Sequence, residues 1–358
     1  MQSARLWLPL LAMLAAAGAQ AQTIYKVTEL VIGLKRDVTL FSRAHAINKS
    51  GQTAIEYGYT FGGVSAARCK KAKCELIPEL HTGTFPATVP GGINDTGFVT
   101  GGSFTGAATH AFLFDGVQTF DLGGLPEDGC GGCSLDSFGR DINNLNQVVG
   151  FAYTGTGDVR AILWDTTQGM QKIGTLGGVY SDAYGINNHG DIVGQSSLEG
   201  GAQHAFVYRG GSMVDLGTLG GSHSVALGIN EARQIVGCST LEGDSAQQAF
   251  IHQQGTMSAL PSLGGNDACA FGINRNGWVV GYSSTEGSFT TRAVLWDGVT
   301  LINLNTQLDP VTGKNWMLTE ARAINDQGQI VATGEHKGKT RAALLTPISS
   351  TPLAPLRQ

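Results

Sequence analysis

Asp136, Tyr180, His223 and Asp267 fall at corresponding places in four successive repeats of this chain, with Arg140 and Asp182 a few residues further on. Two carboxylates, a phenol and an imidazole gathered at one mouth can hydrogen-bond sugar hydroxyls or hold a hard cation. Acid/base hydrolysis is the alternative chemistry, with Asp136, Asp267 and His223 as the acid/base groups, and it requires the two carboxyl groups at a defined separation. The plainer reading is a set of solvated loop residues. The six residues form the candidate ligand site, and no catalytic residue is assigned.

The elements that must position them repeat. A small residue followed by Ile-Asn recurs about every 45 residues, with the asparagines at Asn48, Asn94, Asn143, Asn187, Asn230, Asn274 and Asn325. The clearest unit, 181–221, reads as four short strands separated by turn residues. Its first strand ends at Ile186-Asn187. The second is expected over Asp191–Ser196, the third over His204–Tyr208 and the fourth over Met213–Leu219. The fourth strand recurs as Val117–Leu125, Met170–Leu176, Met257–Leu263 and Leu301–Leu308, and more weakly as Cys74–Leu80. The last repeat stops after its third strand, Arg341–Leu345, while the N-terminal Tyr25–Leu30 is a fourth-type strand with nothing before it. The surplus at one end matches the deficit at the other, and pairing them protects exposed edges. The expected fold is therefore all-β: a seven-bladed β-propeller of four-stranded blades, closed by the N-terminal strand pairing with the last blade. A β-solenoid or another β-repeat is the runner-up.

Counting back from each Ile, the first, third and fifth residues are mostly small, as in Ser181, Ala183 and Gly185. This period of two places one face of the strand against a close neighbour, expected at the crowded centre of a ring. The intervening positions vary freely, as in Phe138 and Arg140 or Asp182 and Tyr184. Other motifs read as structural. The residue before Ala in the third strand is His110, Arg160, His204, Gln248, Arg292 or Arg341, an interchangeable hydrogen-bond donor rather than a catalytic group. Trp164-Asp165 and Trp296-Asp297 read as aromatic packing followed by a turn. The turns after each Asn lack the alternating carboxylates of a calcium loop. No nucleophile elbow, zinc-protease, phosphate-loop or dinucleotide motif occurs. No cofactor and no metal site are implied.

His110-Ala111-Phe112 and His204-Ala205-Phe206, with Asp215–Gly221 reading DLGTLGG and the repeated GIN-x-x-G-x-[IV]-V-G, resemble the HAF-repeat extracellular proteins of bacteria over residues 40–345. The resemblance implies export and β-repeat structure, and it supplies no activity or catalytic residues. Members often end in a sorting segment with a hydrophobic helix. This sequence ends at 352–358 without one, so anchoring by that route is not expected.

The chain has 358 residues, 42% of them hydrophobic and only 14% charged, with 52 glycines. That balance suits short strands and tight turns rather than long helices. A net charge of -5 with no basic block gives no electrostatic case for nucleic acid. Residues 1–21 read as a signal peptide cleaved after Ala19-Gln20-Ala21, which leaves 22–348 as the repeat domain and 349–358 as a short tail. The mature chain has no stretch of membrane-spanning length. Six cysteines fit an oxidising compartment: Cys69 with Cys74 across a hairpin, Cys130 with Cys133 in an inserted loop, and Cys238 with Cys269 in adjacent repeats. The first function expected is that of an exported binding or scaffold protein for a glycan, peptide or cell-surface polymer. A secreted carbohydrate-active or hydrolytic enzyme is the alternative.

Overall fold

The computed structural model describes residues 23–31, 39–60, 62–81, 83, 86–125 and 136–348. The signal-peptide segment, Cys130, Cys133 and the tail 349–358 lie outside them. The described residues form 28 strands and two short 3-10 turns, with no α-helix.

The fourth repeat shows the pattern. Its strands are Gly177–Ile186, Ile192–Leu198, Gln203–Arg209 and Ser212–Asp215, each antiparallel to the one before. The fourth strand is shorter than the sequence suggests and ends at Asp215, as its counterparts end at Asp121, Lys172, Ala259 and Asn303. In this repeat the cause lies in Asp-Leu-Gly. Asp215 Oδ1 accepts the Gly217 N–H at 2.7 Å, and Gly217 takes φ +73°, a conformation glycine adopts at little cost. The chain turns out of the sheet there, and Leu219 reaches Leu241 of the next repeat in a single parallel bridge.

Three sheets are four-stranded and two are eight-stranded. Each eight-stranded sheet consists of two repeats joined by one parallel pair, Val159 with Tyr180 or Gln247 with Asp267. The N-terminal strand Ile24–Glu29 pairs antiparallel with Lys339–Ile348, the third strand of the last repeat. The core lies between repeats. One cluster joins Val193, Ala205 and Val207 of the fourth repeat to Ala226, Ile235 and Phe250 of the fifth, so no repeat buries its apolar face alone.

The first strands lie innermost, each packed on the next and the last on the first. The stripe of small residues faces this contact. A Cβ on Gly228 would come within 2.9 Å of the Phe271 carbonyl oxygen, and one on Gly272 within 3.2 Å of Ala323 Cα. The serine that opens the stripe also bonds across repeats: Ser181 Oγ donates to the Gly174 carbonyl and accepts the Ala161 N–H.

The repeated asparagine has two jobs. In Asn274, Oδ1 accepts the N–H groups of Asn276 and Trp278, which closes its own turn, while Nδ2 donates to the Asn325 carbonyl of the next repeat at 3.1 Å. The same bond runs from Asn48 to Asn94, Asn143, Asn187, Asn230 and Asn274, and from Asn325 back to Asn48, closing a cycle. Asparagine fits because it carries an acceptor and a donor at one short reach.

Disulfides link Cys69 to Cys74 and Cys238 to Cys269, as expected, and fit an oxidising compartment. No helix among the described residues is long and apolar enough to cross a membrane.

Candidate functional site

Asp136, Tyr180, His223 and Asp267 lie toward the upstream end of the inner strands, opposite the asparagine turns, and Arg140 and Asp182 lie further along them. Arg140 and Asp182 meet directly, Nη2 to Oδ2 at 3.0 Å, with the Asp182 side chain 2% exposed. The Arg140 guanidinium stacks on Phe138, Phe151 and Tyr184 at 5.0, 5.2 and 5.1 Å. Burial pushes the Asp182 carboxyl up, and Arg140 offsets part of that rise. Neither Arg140 Nε nor Asp182 Oδ1 has a hydrogen-bond partner. Tyr180 accepts a bond from Gln195 at 3.2 Å. Asp267 belongs to a second group, where its Oδ1 accepts from Tyr282 and Gln247, each at 3.0 Å. His223 Nδ1 takes the Gln203 N–H at 3.4 Å, and Asp136 Oδ1 takes the Thr109 N–H at 2.7 Å. Asp136, His223 and Asp267 make these bonds to separate partners and not to one another.

A second variable row lies on the second strand of each repeat. Glu56, Phe151, Gln195, Cys238 and Tyr282 are each paired across the sheet with a variable inner-strand residue. Glu56 shows what the row adds. Burial alone would raise its carboxyl, but His45, Arg43 and Arg322 together hold it below the usual range. The signal is present in the sequence for Phe151, Gln195, Cys238 and Tyr282, the one free position after each Val-Gly of the second strand, whereas Glu56 follows Ala54-Ile55.

Two cavities mark the ends of the inner strands. The first, about 390 Å³, opens beside Asp136 and is walled by Phe138, Phe151, Tyr153 and Val89. The second repeat puts the smaller Val89 and Gly91 where the third puts Phe138 and Arg140. Gly102 makes room for the Phe138 ring, since a Cβ there would stand 2.4 Å from it.

The second cavity, about 400 Å³, is a funnel among the Ile-Asn turns of all the repeats. Asp141 lines it, at the position that holds Ala46, Gly92, Gly185, Gly228, Gly272 and Ala323 elsewhere. Its oxygens accept the N–H groups of Ile142 and Ile186, at 2.9 and 3.1 Å. Burial pushes its carboxyl up to about 6, against the opposing effect of those two bonds. The folded value lies above the unfolded one. The resulting stabilisation is therefore present at low pH and is lost as pH rises through about 6. Relative to the Asp141→Gly variant, the native chain should lose about 2 kcal/mol in urea unfolding between pH 4 and pH 7. A difference that stays constant with pH would contradict this account.

No family model matches the chain, and no curated protein does. Among solved structures, it is similar to the β-propeller domain of the Trilobed protease from Pyrococcus furiosus, with TM-score 0.53 and 10% identity over 88% of this chain and 100% of that one. The fold is a β-propeller. YCF48 bound to D1 peptide is similar at TM-score 0.50 and 10% identity, over 93% of this chain and 99% of that one. A puromycin-hydrolyzing peptidase from Mycobacterium tuberculosis is similar at TM-score 0.54 and 10% identity, over 93% of this chain and 53% of the peptidase. At such identities the likeness extends to fold alone.

In the propeller, the residue before Ala in the third strand reaches the outer strand in several repeats. His110 and His204 bond Asp121 and Asp215, and Gln248 donates to the Leu260 carbonyl. Arg341 likewise pairs with Glu29 of the N-terminal strand, which flanks the third strand of the last repeat. Trp296 is buried and donates to the Pro261 carbonyl, a packing role. Among the described residues, no cluster of His, Cys, Asp and Glu could hold a metal ion.

Proposed function

We propose that this chain is an exported binding or scaffold protein of the HAF-repeat kind, a seven-bladed β-propeller over residues 22–348 behind a signal peptide at 1–21, with a tail at 349–358. The closed cycle of asparagine bonds supports the blade count. Glu29 stands beside Arg341 as Asp215 stands beside His204, which supports closure by the N-terminal strand. The ligand, a glycan, peptide or surface polymer, meets the mouth that carries Asp136, Arg140, Tyr180, Asp182, His223 and Asp267.

One observation carries this reading: a cavity of about 390 Å³ opens at that mouth beside Asp136, within the size range of small-molecule sites. Thermal unfolding of the mature chain against glycans, peptidoglycan fragments and peptides tests it. A ligand at about 100 times its Kd should add about 2.7 kcal/mol, a shift of several degrees. Asp136→Ala should reduce that shift, and an equal shift in the variant would overturn the placement.

A further inference from the structure

We infer that the cavity beside Asp136 is a site for a neutral saccharide, with the sugar ring on an aromatic row and a hydroxyl on the Asp136 carboxylate. The inference rests on the reading of this mouth as the ligand site.

The row runs inward from the mouth. Tyr153 meets Phe151 edge-on at 6.1 Å, Phe151 lies parallel to Phe138 at 6.1 Å, and Phe138 carries Arg140. Phe138 and Phe151 are directly opposed across the sheet, and Tyr153 is two residues on from Phe151, so the three rings share one face. Two parallel rings and a perpendicular third give a stepped apolar wall suited to the C–H face of a pyranose. Asp136, at the rim, holds the Thr109 N–H with Oδ1. Oδ2 has no partner among the described residues and can accept from a sugar hydroxyl.

Charge decides between ligand classes. A cationic ligand would seek the ring faces, as ammonium groups do. Here the Arg140 guanidinium already lies over Phe138 and Phe151, so a second cation meets like charge. An anionic ligand would need a free cation. Arg140 is committed to Asp182, and the carboxylate at the rim is negative. A polyhydroxylated neutral ligand escapes both penalties. It offers C–H groups to the rings and donors to Asp136.

The test is a printed array of neutral and acidic glycans, with spermidine and a peptide mixture as competitors, read with the mature chain and two variants. Binding to at least one neutral glycan is expected. Phe151→Ala and Asp136→Asn should each weaken it about tenfold or more, with Val299→Ala, at an exposed outer turn, unchanged. Asp136 is exposed, so its variant keeps the test valid if Phe151→Ala fails to fold. Neutral-glycan binding that survives both variants overturns the assignment. So does Asp136-dependent binding of only acidic glycans, spermidine or peptide, an outcome that leaves the mouth as a ligand site. Binding of nothing at this mouth overturns both readings.

Discussion

Replacing Asn274 by alanine is expected to destabilise the fold by about 2–4 kcal/mol in urea unfolding at pH 7. The side chain is 3% exposed and closes its turn by accepting two N–H groups while donating to the Asn325 carbonyl. Alanine leaves those three backbone groups without their side-chain partner, and the bond lost to the Asn325 carbonyl is a buried one. Asn274→Asp separates the two jobs. It keeps the acceptors for the turn, loses the donor to the next repeat and adds a charge in a confined place. Its cost at pH 7 should match or exceed that of alanine and should shrink as the carboxyl is protonated. A change below about 0.5 kcal/mol in both variants would mean that the asparagine cycle contributes little to stability. The substitution in the last repeat, Asn325→Ala, should behave similarly, because its bond to Asn48 joins the end of the chain to its beginning.

The second large effect is expected at Arg140 and Asp182. Removing Asp182 alone should cost about 3 kcal/mol, because Arg140 keeps its charge and loses the carboxylate opposite it. Replacing both, as Arg140→Met with Asp182→Leu, should return stability to near the native level or above. The reason is visible in the pair. Each partner has one buried atom without a hydrogen bond, Arg140 Nε and Asp182 Oδ1, so attraction at 3.0 Å repays the desolvation only in part. The rings of Phe138, Phe151 and Tyr184 around the guanidinium leave an apolar shell that methionine can fill. Chemical unfolding of the two single variants and the double variant gives the coupling energy. A double variant as unstable as the sum of its singles would show that the pair is not strained in this way.

How far the sequence went differs between frame and site. The Ile-Asn period, the turn residues and the surplus N-terminal strand were legible because they are local and repeated, and repetition averages out ambiguity at any one place. The second and third strands fall within a residue or two of their expected bounds. The fourth strand is shorter than its pattern suggests, because Leu-Gly-Thr-Leu after Asp215 carries strand-like residues although the Asp215 cap and Gly217 take the chain out of the sheet. The alternation of small residues was legible too, but the neighbour it serves is the adjacent inner strand, together with the serine bonds between repeats.

The site was legible only as a mouth. Arg140 and Asp182 both stand out as variable polar residues, yet their contact joins residues 42 apart, and nothing local announces it. Phe151 and Tyr153 do not stand out in that way, because they lie on the second strand, where an aromatic residue is an ordinary β-former, and only the sheet pairing puts Phe138 opposite Phe151. Asp141 was hidden by its setting, since a charge among small residues looks like an exception until its bonds to Ile142 and Ile186 appear. By itself, the sequence determined the repeat, its strands and the asparagine at each turn, because backbone geometry and hydrogen-bonding valence act over a few residues. Only the tertiary structure decided which variable side chains meet, where the cavities open and which charges are left incompletely paired, because those depend on how one repeat is laid against the next.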